Sequence, residues 1–187
     1  MRKPRAIVCE CGGRLRPTVL EQYDFSDYVG FEVILKGMEG FTCDTCGGET
    51  ISGGLVNVVM NYTVVQIVQQ PRRLNGAEAR YLRHNLDATQ EELGTRMGIA
   101  RETVAKWECG DSTISAQHDF ILRVFSLAAM IERGLVPRAY AERVMAGLRA
   151  VAVAPPGKTT SIRVDQAQMD LMKMPPGGTA LPARSAG

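Results

Sequence analysis

Residues 89–110 read TQEELGTRMGIARETVAKWECG. Thr89 followed three residues later by Glu92 is a capping box, in which the hydroxyl accepts from the backbone N–H of Glu92 and the carboxylate reaches back to the cap. The helix so opened is predicted to run to Met97, where Gly98 supplies the positive φ at which a helix can stop. A second helix is predicted from Arg101 to about Cys109, closed by Gly110. Leu93, Met97, Ile99, Val104 and Trp107 fall where two such helices must bury apolar groups against each other. Gly94 occupies the close crossing, although glycine costs about 1 kcal/mol of helix propensity relative to alanine. The predicted layout is helix, short turn, helix.

This layout leaves Arg101, Glu102, Ala105 and Lys106 on the outward face of the second helix, and Thr103 joins them as a candidate DNA contact. Arg or Lys can read guanine O6/N7 in a major groove, and Glu can accept from cytosine N4. Gln90, near the first helix N-terminus, is placed to bind a phosphate with the backbone N–H groups there. The plainer alternative is a solvated charged face. Turn chemistry, buried pattern and the closing Trp-Glu-x-Gly coincide in favour of DNA reading. Arg83 and Glu108 are expected to form a scaffold ion pair that locks the preceding helix to the second one.

Working outward, Ala77–Asn85 is predicted helical, Asp119–Arg133 (DFILRVFSLAAMIER) is an apolar helix stopped by Gly134, and Arg138–Val151 follows Pro137 as a last amphipathic helix. Leu55–Gln69 (LVNVVMNYTVVQIVQ) is rich in β-branched residues but too long for an ordinary strand, and is assigned as helix. Residues 1–50 are Gly-rich, with short apolar pieces, Phe31–Leu35 and Gly40–Thr42, suited to strands. The implied organisation is a metal-stapled module with connecting helix over 1–70, a polar linker over 71–76, a helical domain over 77–151, and a disordered Pro/Gly-rich tail over 152–187.

The first module carries four of the five cysteines: Cys9, Cys11, Cys43 and Cys46, as C-x-C and C-x-x-C-G-G. Two thiol pairs separated by a loop suit tetrahedral zinc, each pair chelating from one turn, and a fully liganded site of this kind makes fold rather than chemistry. It would replace the core that some 50 residues can hardly build unaided. The alternatives are a redox dithiol pair or free thiols. The first pair is one residue shorter than the usual C-x-x-C, so its turn must differ, and Cys9 is the weakest candidate ligand. Cys109 stands apart, beside Gly110.

The 187 residues are 45 % apolar, with no apolar run of membrane-spanning length and no secretory h-region near Met1, so a cytoplasmic, non-membrane protein is expected. An odd cysteine count in a reducing compartment argues against a disulfide framework. The net charge of +2 conceals an uneven distribution: residues 21–49 hold seven acidic groups against Lys36, whereas residues 111–187 hold nine basic against six acidic.

Two regions together resemble one family. VILKGMEGFTCDTC (33–46) is similar to the second half of the zinc module of the MqsA, or YgiT-type, antitoxins, and 79–110 resembles the Xre/Cro-type helix-turn-helix that follows it in those proteins. The resemblance covers about residues 5–135. It implies an α+β zinc-binding module followed by an all-α helix-turn-helix domain, with one structural Zn2+ per chain on Cys9, Cys11, Cys43 and Cys46. It further implies a non-enzymatic homodimer that binds a palindromic operator in double-stranded DNA as autorepressor, and a zinc module that docks onto a toxin, usually an mRNA-cleaving ribonuclease. The alternative function is a standalone zinc-containing transcription regulator. The family's base-reading Asn and Arg fall on Glu102 and Lys106, so a different operator base is expected, and Ala100 replaces the usual Ser or Thr cap.

Overall fold

The structure, a computed structural model, describes residues 8–136, 138–148 and 162–165. It is a mixed α/β fold. β1 (Leu15–Asp24) and β2 (Val33–Cys43) run antiparallel, with Leu15 opposite Cys43 and Asp24 opposite Ile34, and are joined through the single-turn helix α1 (Ser26–Val29). The two short apolar pieces expected as separate strands are therefore parts of one. Gly37, at φ +61°, lies between them. The buried positions are 33 and 35 before it but 38 and 40 after it, so the inward set changes parity there and simple alternation along the strand is lost.

β3 (Glu49–Thr50) pairs antiparallel with Phe41 and Thr42 of β2. On the same side of β2, β4 (Ile162–Asp165) pairs parallel with Val33–Lys36. This corrects the expectation of a disordered tail over 152–187. Ile162 is 7 % and Val164 1 % exposed, opposite the fully buried Val33 and Leu35, and this burial of alternate branched side chains is what orders the strand. The rest of that stretch lies outside the described residues.

Next comes α2 (Gly53–Val68), a helix as expected, with Ser52 Oγ accepting from the Leu55 N–H at 3.2 Å. Val59, Val64, Ile67 and Val68 are completely buried, and the helix packs on α3 (Gly76–Asn85), α6 (Ala116–Glu132) and β4. Burial on several sides overrides the strand propensity of its β-branched residues.

Next in order are α4 (Gln90–Met97), α5 (Arg101–Cys109) and, after α6, α7 (Arg138–Leu148). Helix α6 begins earlier than its apolar run because the Ser115 hydroxyl caps the His118 N–H. Residues 149–151 of the expected last helix lie outside the described residues. Residues 71–76, read as a polar linker, are tied down. Leu74 is 1 % exposed and its N–H donates to Asp119, while the Arg72 guanidinium forks onto Glu78 at 2.9 and 2.7 Å. Leu20 and Leu35 of the sheet, Val65 of α2, and Leu82, Trp107 and Leu122 of the later helices consequently belong to one continuous core.

Candidate functional site

The first site is built where β1 begins and β2 ends. Cys9 and Cys11 lie on the turn that enters β1, Cys43 closes β2, and Cys46 lies on the turn that follows. The four sulfur atoms all lie within 4.8 Å of one another, with Cys9 Sγ to Cys46 Sγ at 3.8 Å and Cys11 Sγ to Cys43 Sγ at 3.5 Å. Thiolates held about 2.3 Å from a tetrahedral cation stand about 3.8 Å apart, so the cluster fits a four-coordinate structural metal. None of the four forms a disulfide.

The short C-x-C pair is accommodated by a tighter turn. In the first knuckle the Gly12 N–H donates to Cys9 O and the Cys9 N–H to Gly13 O, both at 2.9 Å. In the second, the Gly47 N–H donates to Cys43 O and the Cys43 N–H to Gly48 O, each ring one residue longer. Gly12 and Gly47 both have positive φ, 86° and 70°. Gly13 has no room for a side chain, since a Cβ there would lie 2.6 Å from Cys43 Sγ. Backbone N–H groups of Gly13, Thr45 and Gly48 each point at a sulfur at 3.4 Å.

Asp44, which the sequence reading passed over, ties the knuckles together. Its carboxylate accepts from the Arg14 N–H at 2.9 Å, and its own N–H donates to Arg14 O.

The electrostatics of the cluster are compatible with a cation. The backbone N–H groups of Cys46 and Thr45 draw the Cys43 thiol down to about 6. At Cys11 the Gly13 N–H acts in the same direction, but the three neighbouring thiols outweigh it and push that thiol up to about 12. Four thiolates this close repel one another unless a positive ion sits among them.

The second site is the α4–α5 pair. The capping box is formed, with Thr89 Oγ1 accepting from the Glu92 N–H at 3.1 Å and Glu92 Oε2 from the Thr89 N–H at 2.7 Å. Gly98 ends α4 at φ 69°, and a Cβ on Gly94 would lie 2.8 Å from Ile99 O, so the close crossing excludes any larger residue. Leu93, Val104 and Trp107 are buried between the helices, with Met97 and Ile99 packed at the margin. Arg101, Glu102 and Lys106 are exposed, Thr103 and Ala105 half-buried. Arg101 with Ala105, and Glu102 with Lys106, stand one turn apart on α5. Ala100 gives α5 no side-chain cap.

Behind this face lies a buried polar network. Arg83 Nε and Nη2 fork onto Glu108 at 2.6 and 2.9 Å, and Arg83 Nη1 donates to Ala88 O. The half-buried Gln90, expected as a phosphate contact, donates from its side-chain amide to Glu108 Oε2 at 2.9 Å.

Burial pushes the Glu108 carboxyl up, but the hydrogen bonds from Arg83 and Gln90 and the charges of Arg83 and Arg80 outweigh it and hold it below its usual range. A depressed folded pKa contributes stability that is present above the unfolded value of about 4.3 and is lost as pH falls through the folded one. Glu108→Gln is therefore expected to cost about 1–2 kcal/mol at pH 7, a difference that shrinks as the pH is taken below 4 in urea titrations. A difference independent of pH would contradict the ion-pair account.

Comparison of the chain with protein-family models, with curated proteins and with solved structures finds no match. Among the described residues no helix is long and apolar enough to cross a membrane.

Proposed function

We propose that the protein is a sequence-specific DNA-binding regulator, an antitoxin and autorepressor whose N-terminal module is held by structural Zn2+ and docks a ribonuclease toxin. The observation that carries the DNA-binding part is the exposed face of α5. The side chains of Arg101, Glu102 and Lys106 are all solvent-facing and make no hydrogen bond or ion pair among the described residues, whereas Val104, Trp107 and Glu108 on the other side of the same helix are buried. Uncommitted long side chains on a rigidly seated short helix suit groove entry. Zinc is the metal that four thiolates in a tetrahedral set favour, and its role is to hold the two knuckles together.

Dimerisation is assigned to α6 and α7. Phe120 is 41 % exposed on α6, and Ile121, Val124 and Ala128 continue an incompletely covered stripe along that helix. Toxin docking rests on the family resemblance and on the acidic groups between Glu21 and Glu49, which complement a basic partner. It is tested by co-purification with the product of an adjacent reading frame. A standalone regulator is the second reading, favoured by the continuity of the core from sheet to helices, which makes the cysteine module part of one body.

Lys106→Ala is expected to weaken binding to the selected operator by about 1–3 kcal/mol and to relax preference at one base pair. Unchanged affinity and selectivity in a gel-shift titration would remove α5 from the interface.

A further inference from the structure

The two edges of the sheet differ in what they accept. The outer edge of β1 carries Pro17, which has no N–H to donate, and exposes Glu21 and Gln22. The opposite edge of β2 is divided at Gly37, whose φ of +61° turns the strand. One segment takes β3 at residues 41–42, the other takes β4 at residues 33–36. The second segment is selective. Val33 and Leu35 are completely buried, and α2 packs against the strand that lies opposite them. An incoming strand must therefore place apolar side chains at its first and third positions, as Ile162 and Val164 do, and polar ones at its second and fourth, as Arg163 and Asp165 do. Asp165 stands opposite Lys36.

We propose that the β2 edge from Val33 to Lys36 is a strand-acceptor site for extended peptides of the pattern branched-apolar, basic, branched-apolar, acidic, and that the chain's own Ile162–Asp165 is its exchangeable resident. Although Ile162 and Val164 are buried, the main-chain hold on β4 is slight, and exchangeability follows from that. Among the described residues it has four residues and pairs with β2 alone, in the parallel sense, the weaker of the two per residue. Strand addition of this kind takes its affinity from main-chain hydrogen bonds and its selectivity from alternate side chains.

The test uses the full-length chain carrying Ile162→Asp and Val164→Asp, which ejects the resident strand, and a labelled peptide of residues 158–169, KTTSIRVDQAQM. Fluorescence anisotropy is expected to show saturable binding to this variant, and binding about tenfold weaker to the unmodified chain, whose own strand leaves the edge open only part of the time. A peptide carrying Val164→Asp is expected not to bind either. No binding to a variant that keeps its helical circular dichroism, or equal binding to both chains, would overturn the proposal. Should the variant not fold, amide exchange on the unmodified chain decides. The amides of 162–165 are expected to exchange about tenfold faster than those of the β1–β2 ladder, as a locally opening strand does; protection equal to that of the ladder would overturn the proposal.

Discussion

Replacing Cys43 by serine is expected to abolish stoichiometric metal binding and to melt both knuckles together with the adjoining ends of β1 and β2. Cys43 is the one buried sulfur of the cluster, it is the last residue of β2, and it lies opposite Leu15 in the ladder. A serine hydroxyl is a poor ligand for a soft-thiolate site. Binding of a structural metal contributes on the order of 10 kcal/mol of folding free energy in small modules, so most of what holds residues 8–20 and 38–50 in place is lost. The helices from α3 to α6 draw their burial from Leu82, Leu93, Trp107 and Leu122 and keep their far-ultraviolet signal. Amide exchange confined to the knuckles and strand ends, with a metal content near zero, is the expected result. A full complement of metal in the variant would count against the four-cysteine centre.

Arg123→Ala is expected to destabilise the whole chain by about 5 kcal/mol. Arg123 is 1 % exposed. Its Nε faces both carboxylate oxygens of Asp119 at 3.1 and 3.0 Å, and its Nη1 donates to the carbonyls of Ile67, Val68 and Gln70 at 3.3, 2.7 and 3.0 Å. Nη2 donates to Arg72 O. One guanidinium thus serves carbonyls at and just beyond the end of α2, at the end of the helix dipole where positive charge is favoured. Asp119 in turn accepts from the Leu74 N–H at 3.3 Å. Alanine would leave the buried Asp119 carboxylate without its cation and remove the guanidinium from the Val68 carbonyl and its neighbours at once. Arg123→Lys, which keeps the charge but not the fork, should recover part of the loss. Denaturant unfolding measures both, and a loss under about 1 kcal/mol for the alanine variant would contradict the clamp.

What the sequence made legible is mostly what is encoded locally. The capping box at Thr89, the positive-φ glycines at 98 and 110 and the apolar spacing between them are short-range signals, and α4 and α5 form where they indicate. The cysteine spacing likewise marks the residues that cluster, and the shorter C-x-C pair closes through a turn tighter by one residue. A second capping box, Asn75 with Glu78, opens α3 and is a signal of the same local kind.

The remaining features depend on distant partners. β4 is four residues in a Pro- and Gly-rich stretch, ordered by a slot that β2 and α2 create more than 90 residues earlier in the chain. Gln90 donates to Glu108, which is within reach only once α4 and α5 have packed. Arg123 left one legible trace: a charged pair at i and i+4, Asp119 and Arg123, inside an otherwise apolar helix, where an unpaired charge is too costly to bury.

The proposed reading of DNA by α5 from a metal-stapled dimer can be checked by footprinting the metal-loaded chain on DNA selected from a random pool. Protection of two symmetric half-sites with centres about one helical turn apart is expected, lost when Arg101 and Lys106 are both replaced by alanine. Absence of any selected sequence, or a footprint unchanged by those two substitutions, would contradict it.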